Sequence, residues 1–144
     1  MIRMDKRGQL SVEYLLLVLI ILIILGTVTI PLIGNSIDAS MDVSMVSDAK
    51  TAVESISSAA DIVYSNGPGS RRTMDIYIPQ GTNLNTANNI VGMNITYSEG
   101  TKFVNSTVNY RLNNATTAVS KGWYRVTVNW VIGRNYLDVA LTQI

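Results

Sequence analysis

The sequence predicts an α+β fold in which a long N-terminal helix, first hydrophobic and then amphipathic, packs on a C-terminal antiparallel β-sheet head. Three observations predict it. Tyr14 to Ile33 is 20 residues without a charge. From Ile37 to Val63 apolar residues recur at steps of three or four, the spacing of one helical face. From Met74 onward the period changes to two, the alternation of half-buried strands. A chain of 144 residues supports one small head beside the apolar segment, because a domain usually takes about 100–200 residues.

The apolar run comes first. Leu15, Leu16, Leu17, Val18, Leu19, Ile20, Ile21, Leu22, Ile23, Ile24 and Leu25 form an unbroken aliphatic stretch, and the uncharged segment around it matches the roughly 20 residues with which a helix crosses a hydrocarbon core. Arg3, Lys6 and Arg7 precede it, whereas Asp38, Asp42 and Asp48 follow it against Lys50 alone. The positive-inside rule therefore keeps the N-terminus cytoplasmic and exports the rest. A secretory signal peptide is the competing reading, because its apolar core spans about 7–15 residues and Gly34-Asn35-Ser36 offers a small-x-small cleavage pattern. Glu13 at the start of the run, and the helical pattern that continues beyond Gly34, argue against it.

That continuation carries Ile37, Met41, Met45, Ala49, Val53, Ile56, Ala60 and Val63 on one stripe, with Asp, Ser and Lys on the other sides. The pattern predicts one helix from about Leu10 to Tyr64. A bend is expected at Pro31, which removes a backbone donor and crowds the carbonyl of Thr27; the hydroxyls of Thr27 and Thr29 are expected to help satisfy the freed groups. Asn66-Gly67-Pro68-Gly69 then ends the helix.

In the head, Met74, Ile76 and Ile78 alternate with polar residues, as do Val91, Met93, Ile95 and Tyr97. Val104, Val108, Tyr110 and Leu112 make a third apolar row, Tyr124, Val126, Val128, Trp130 and Ile132 a fourth, and Leu137, Val139 and Leu141 a last. Ser98-Glu99-Gly100 suits a hairpin, and Gly133-Arg134 a tight turn with glycine at its first central position. Gln80 to Asn89 reads as a polar, loose connection. A sheet with one dry face and a helix with one dry stripe should cover each other.

Composition narrows the function. The net charge is +1 and the basic residues are scattered, so no nucleic-acid partner is indicated. The chain has no Cys and no His, which removes thiolate nucleophiles, ordinary zinc sites and the usual neutral-pH acid/base. Asp75, Glu99 and Asp138 show no metal-ligand spacing, and no catalytic, metal or cofactor site is assigned. Arg71-Arg72 reads as an exposed charged loop. Tyr124 and Trp130 belong to the core row, and Trp123 is the better candidate for an interface.

The stretch Gly8 to Leu17, GQLSVEYLLL, resembles the Q-x-S-x-E-Y pattern of archaeal type IV pilin-like proteins with class III signal peptides. Gln9, Ser11, Glu13 and Tyr14 stand at its four fixed positions. The resemblance covers about the first 30 residues. It implies that residues 1–8 are a leader cut between Gly8 and Gln9 by a prepilin peptidase on the cytoplasmic side, and that the hydrophobic helix is kept. The mature chain would hold 136 of the 144 residues. Its net charge would move from +1 to −1, since three basic residues and one acid leave with the leader.

On that resemblance the organisation is a leader at 1–8, a transmembrane and filament-core helix at 9–34, an amphipathic continuation at 35–66 and an antiparallel β head at 67–144, a ladle-like shape. The expected function is that of a structural subunit of a pilus-like extracellular filament, serving surface adhesion rather than catalysis. Its helices, Leu15 to Leu25 above all, would bundle, and Glu13 would neutralise the new α-amine of a neighbouring subunit. The simpler role for Glu13 is to sit at the positive end of the helix dipole, which contributes about 0.3–1 kcal/mol. The implied partners are further copies of the chain, the peptidase, a membrane assembly platform and an assembly ATPase, with the membrane itself before assembly. The alternative is a single-span surface protein that binds through its head without polymerising, and a third class is a secreted enzyme starting at Ile37.

Asn94, Asn105 and Asn114 each begin an N-x-Ser/Thr triplet, an acceptor pattern for N-glycosylation on an exported surface. Three triplets is about what this Asn, Ser and Thr content gives by chance, so placement matters more than number. Asn94 and Asn105 are expected on polar strand faces and Asn114 in a turn.

Overall fold

The computed structural model describes residues 6–144, with side chains from residue 11 onward. The chain divides into two compact units, Met1–Ser40 and Met41–Ile144. One helix, α1 (Lys6–Asn66), is followed by strands β1 (Arg71–Ile78), β2 (Thr82–Tyr97), β3 (Gly100–Val119), β4 (Gly122–Asn129) and β5 (Asp138–Gln143).

Helix α1 stays helical through Pro31. The hydroxyl of Thr27 donates to the carbonyls of Ile23 at 2.8 Å and Ile24 at 3.0 Å. It therefore serves the turn before its own, and does not reach the Thr27 carbonyl that Pro31 leaves without its usual donor. The helix ends as expected. Gly67 takes φ of +88°, the left-handed conformation that only glycine adopts without cost, and its N–H donates to the carbonyls of Val63 and Tyr64, both at 3.2 Å. Ser70 completes the cap by donating its hydroxyl to the Val63 carbonyl at 2.7 Å.

In the second unit the strands form two antiparallel sheets, β1-β4-β5 and β2-β3. The sequence alone suggested one sheet. The two are joined by a short parallel bridge, Leu112 to Leu137, in which Leu137 N–H donates to Arg111 O and Asn113 N–H to Leu137 O, each at 2.9 Å. The hairpin β2–β3 turns at Ser98-Glu99, with Tyr97 opposite Gly100.

From Thr82 onward the segment read as a loose connection is strand. Thr82 to Thr86 pair with Val119 to Ala115, and Leu84 and Thr86 are buried at 1% and 5% exposure. Irregular pairing between Thr86 and Asn88, and again between Asn88 and Ile90, bends the ladder there. Asn88 has φ of +53°. The bend returns the start of β2 to its own second half, where Thr82 Oγ1 donates to Asn94 O at 2.6 Å. The Gln80 carboxamide, oriented to satisfy both partners, meets the backbone of Thr96.

The core follows the alternations. Ala49, Ala52, Val53, Ile56, Ala59, Ala60 and Val63 from α1 meet Ile76, Ile78, Val91, Met93, Ile95, Val104, Val108, Leu112, Val126, Val128 and Leu137 from the strands. Two members of the expected helical stripe do not join this core: Ile37 and Met41 are 53% and 59% exposed, since they precede the turns that face the strands. Ile132 is also excluded, at 78% exposure, because β4 stops at Asn129. Beyond it Arg134 N–H donates to Val131 O at 3.1 Å, so Gly133, at φ +88°, is the second central residue of a type II-like turn and not the first.

Polar groups on α1 hold the backbone of the β2–β3 hairpin. Asp42 accepts from Ser98 N–H at 3.2 Å and from its hydroxyl. Asp61 accepts from Asn109 N–H at 2.8 Å, and Ser57 donates to Thr107 O at 3.2 Å while accepting from Ser106. Backbone groups along β3 that would otherwise invite another strand are thereby occupied.

Candidate functional site

Every residue of the aliphatic run Leu15–Leu25 is between 41% and 68% exposed. Tyr14 is 73% exposed, and Val28, Ile30, Leu32 and Ile33 are each more than half exposed. A helix that is apolar on all sides is stable only in lipid or among similar helices. Among the described residues one helix is long and apolar enough to cross a membrane, and this run is its apolar part.

The hydroxyls in and after the run reinforce its apolar exterior. Besides Thr27, Ser36 donates to Leu32 O and Ser40 to Ser36 O, both at 2.9 Å. Each returns to the carbonyl one turn back and so needs no outside partner, an arrangement tolerated in apolar surroundings.

Ser11, Glu13 and Tyr14 lie on α1 with exposed side chains. Glu13, Leu16 and Leu17 are neighbours on one helical face, so the carboxylate borders an apolar surface. Gly8 and Gln9 lie on the same helix, but their side chains fall outside the described residues, as do residues 1–5 of the expected leader altogether.

The three candidate glycosylation sites differ in their surroundings. Asn94 and Asn105 have exposed side chains on the outer face of the β2–β3 ladder, opposite Phe103 and Gly92 respectively. Asn114 is not in a turn. It lies within β3 beside the irregular pairing, where its Oδ1 accepts from Asn88 N–H at 2.8 Å.

The acids do not converge. Asp75 pairs with Arg125 through two contacts of 2.9 and 3.2 Å. The Arg125 hydrogen bond holds the Asp75 carboxyl below its ordinary value, and in return Arg125 is raised. Asp138 accepts from Arg134 at 3.1 Å and from Asn113 at 3.2 Å, and Glu99 sits at the hairpin tip. Arg71 and Arg72 open β1 as exposed residues.

The aromatic residues divide into two groups. Trp130 is 8% exposed and its indole N–H donates to Arg134 O at 2.8 Å. Trp123 is 56% exposed and leans on Tyr77, ring centres 5.5 Å apart. Sequence reasoning missed the association of Tyr64 with Tyr110 at 4.6 Å and of Tyr110 with Trp130 at 4.8 Å. No spacing in the chain connects a helix end, the middle of β3 and the end of β4.

Residues 6–32 match the family model of the class III signal peptide, the type IV pilin-like class. The match covers Lys6, Arg7, Gly8, Gln9, Ser11, Glu13, Tyr14 and the whole aliphatic run. It marks a prepilin-like N-terminus of the kind processed by prepilin peptidase and handled by pilus assembly machinery in general. No curated protein and no solved structure matches the chain.

Proposed function

We propose that this chain is the precursor of a structural subunit of an archaeal type IV pilus-like extracellular filament, and that its work is packing and surface adhesion rather than catalysis. The observation that carries the reading is the exposed aliphatic run Leu15–Leu25 inside a segment matching a class III signal peptide. Cleavage between Gly8 and Gln9 removes the basic flank and keeps the run. The precursor then rests in the cytoplasmic membrane with its head outside, and the retained helices bundle into the filament centre when copies are drawn together.

The energetics fit a driven assembly. Lipid tails are already apolar, so moving the helix from bilayer to bundle gains packing but little hydrophobic free energy. An assembly ATPase acting through a membrane platform supplies the work. Glu13 gives the bundle its axial stagger. An unpaired acid costs roughly 2.5–3.5 kcal/mol at mid-membrane on insertion scales, and less near the interface. Pairing with the α-amine of a neighbouring Gln9 removes that cost in one relative position of two helices.

Terminal-peptide mass spectrometry of the native protein tests the processing step: the expected start is Gln9, and a start at Met1 or Ile37 overturns it. Sedimentation after detergent extraction, with electron microscopy of the pellet, tests the polymer. Fibres are expected, whereas small soluble particles carrying the full apolar helix would identify a non-polymerising surface anchor instead.

A further inference from the structure

On the outer face of the β2–β3 ladder, Gly92 stands opposite Asn105 and Asn94 opposite Phe103. Gly92 belongs to that face yet is buried, because the Phe103 ring lies across it: a Cβ built on Gly92 would come 2.9 Å from Phe103 Cε2 and closer still to Cζ. The ring thus leans away from Asn94 and over the position across from Asn105. Asn105 also follows Phe103 by two residues on the same strand, so both project from one face. The ring remains 48% exposed, a flat apolar surface beside an exposed carboxamide.

The three acceptor triplets are unequal in the same terms. At Asn114 the amide oxygen accepts from Asn88 N–H, and the hydroxyl of Thr116 donates to Asn85 Oδ1 at 2.9 Å. At Asn94 the hydroxyl of Thr96 pairs with that of Thr101 at 3.3 Å. At Asn105-Ser106-Thr107, among the described residues, neither the Asn105 carboxamide nor the Thr107 hydroxyl has a hydrogen-bond partner within the chain. A sugar on Asn105 therefore displaces no internal bond; the Asn94 carboxamide is equally free among the described residues, but the Phe103 ring leans away from it and over Gly92, across from Asn105.

We propose that Asn105 is an N-glycosylated residue of this chain and that the Phe103 ring is the platform on which its first sugar rests. In the transfer, the Asn105 amide nitrogen attacks C1 of a glycosyl donor activated by a lipid-linked phosphate. The N–C1 bond forms as the C1–O bond breaks, the lipid phosphate leaves with the electron pair, and the amide gives up one proton to a base on the transferase. Transfer precedes closure of the β2–β3 hairpin, since the triplet lies in the middle of the ladder. The apolar C–H face of the sugar then covers a ring that is otherwise wet. The inference rests on the reading that the head is exported.

Protein purified from the producing cells tests it by glycopeptide mass spectrometry. A glycan is expected on Asn105, lost in Asn105→Gln and in Thr107→Ala, which keeps the asparagine but removes the hydroxyl. In Phe103→Leu the glycan is retained, but the upfield NMR shift that the ring imposes on the C–H protons of the first sugar disappears. External protease on intact cells separates the two readings. A head that is accessible but carries no sugar on Asn105 overturns this inference alone, and a protected head overturns export as well. Sugar on Asn105 with proton shifts unchanged by Phe103→Leu overturns the platform.

Discussion

Replacing Ile56 by Ala removes three carbons from a side chain with no solvent exposure at the centre of the α1 core face. At about 0.8 kcal/mol per carbon the lost transfer free energy is about 2.4 kcal/mol. The cavity left among neighbouring strand residues brings the expected destabilisation to about 3–4 kcal/mol, inside the usual range for such truncations. For a unit of about 100 residues that lowers Tm by roughly 12–20 °C. Ile37→Ala is the matched control. The same chemical change is made on the same sequence stripe, but at a side chain 53% exposed, so its effect should stay within about 0.5 kcal/mol. Thermal melts of the full-length chain in mild detergent, followed by fluorescence with the buried Trp130 as the internal probe, compare the two. Equal shifts would refute the assignment of where the helix stops facing outward and starts facing the sheets.

Glu13→Ala should yield mature protein that accumulates in the membrane without forming filaments, measured as the ratio of membrane to sheared-filament protein; normal filament yield would remove the proposed role of the acid. Asp75 is held below its ordinary value of 3.8 by Arg125, so its contribution is present above that pH and fades as pH falls through the lowered folded value. Wild type should therefore be more stable than Asp75→Asn at neutral pH, with the gap closing in acid below about pH 4. A gap that widens on acidification would contradict the sign.

Where one periodicity ruled, the chain was legible. The aliphatic run, the helix through Val63, and the rows at Ile76, Met93, Val104 and Val126 are all readable in the sequence, because burial on one face writes a period of 3.6 or 2 directly. The run Thr82–Asn89 was not legible, since its inward positions include Thr86 and its outward ones are asparagines that also suit loops. A polar residue buried through its hydroxyl, here donating to Asn113 O at 2.8 Å, breaks the hydrophobic alternation that marks a strand. Asn114 was misplaced for the same reason. The exclusion of Ile37 and Met41 was invisible because a helical stripe does not record what faces it. The class III signal peptide was legible through the resemblance at Gln9, Ser11, Glu13 and Tyr14 and not through any periodicity. The proximity of Phe103, Gly92 and Asn105 depends on register, which a single sequence leaves open.

The bonds from α1 to the hairpin are spread along the helix at Asp42, Ser57 and Asp61. They reach backbone groups at Ser98, Thr107 and Asn109, so traction along the helix axis loads them side by side, in shear. Bonds strained together yield at a higher force than bonds opened one after another like a zip. A pull on the helix from Asp42 onward thus meets the β2–β3 hairpin at separate rungs, and the load is shared before any strand can peel.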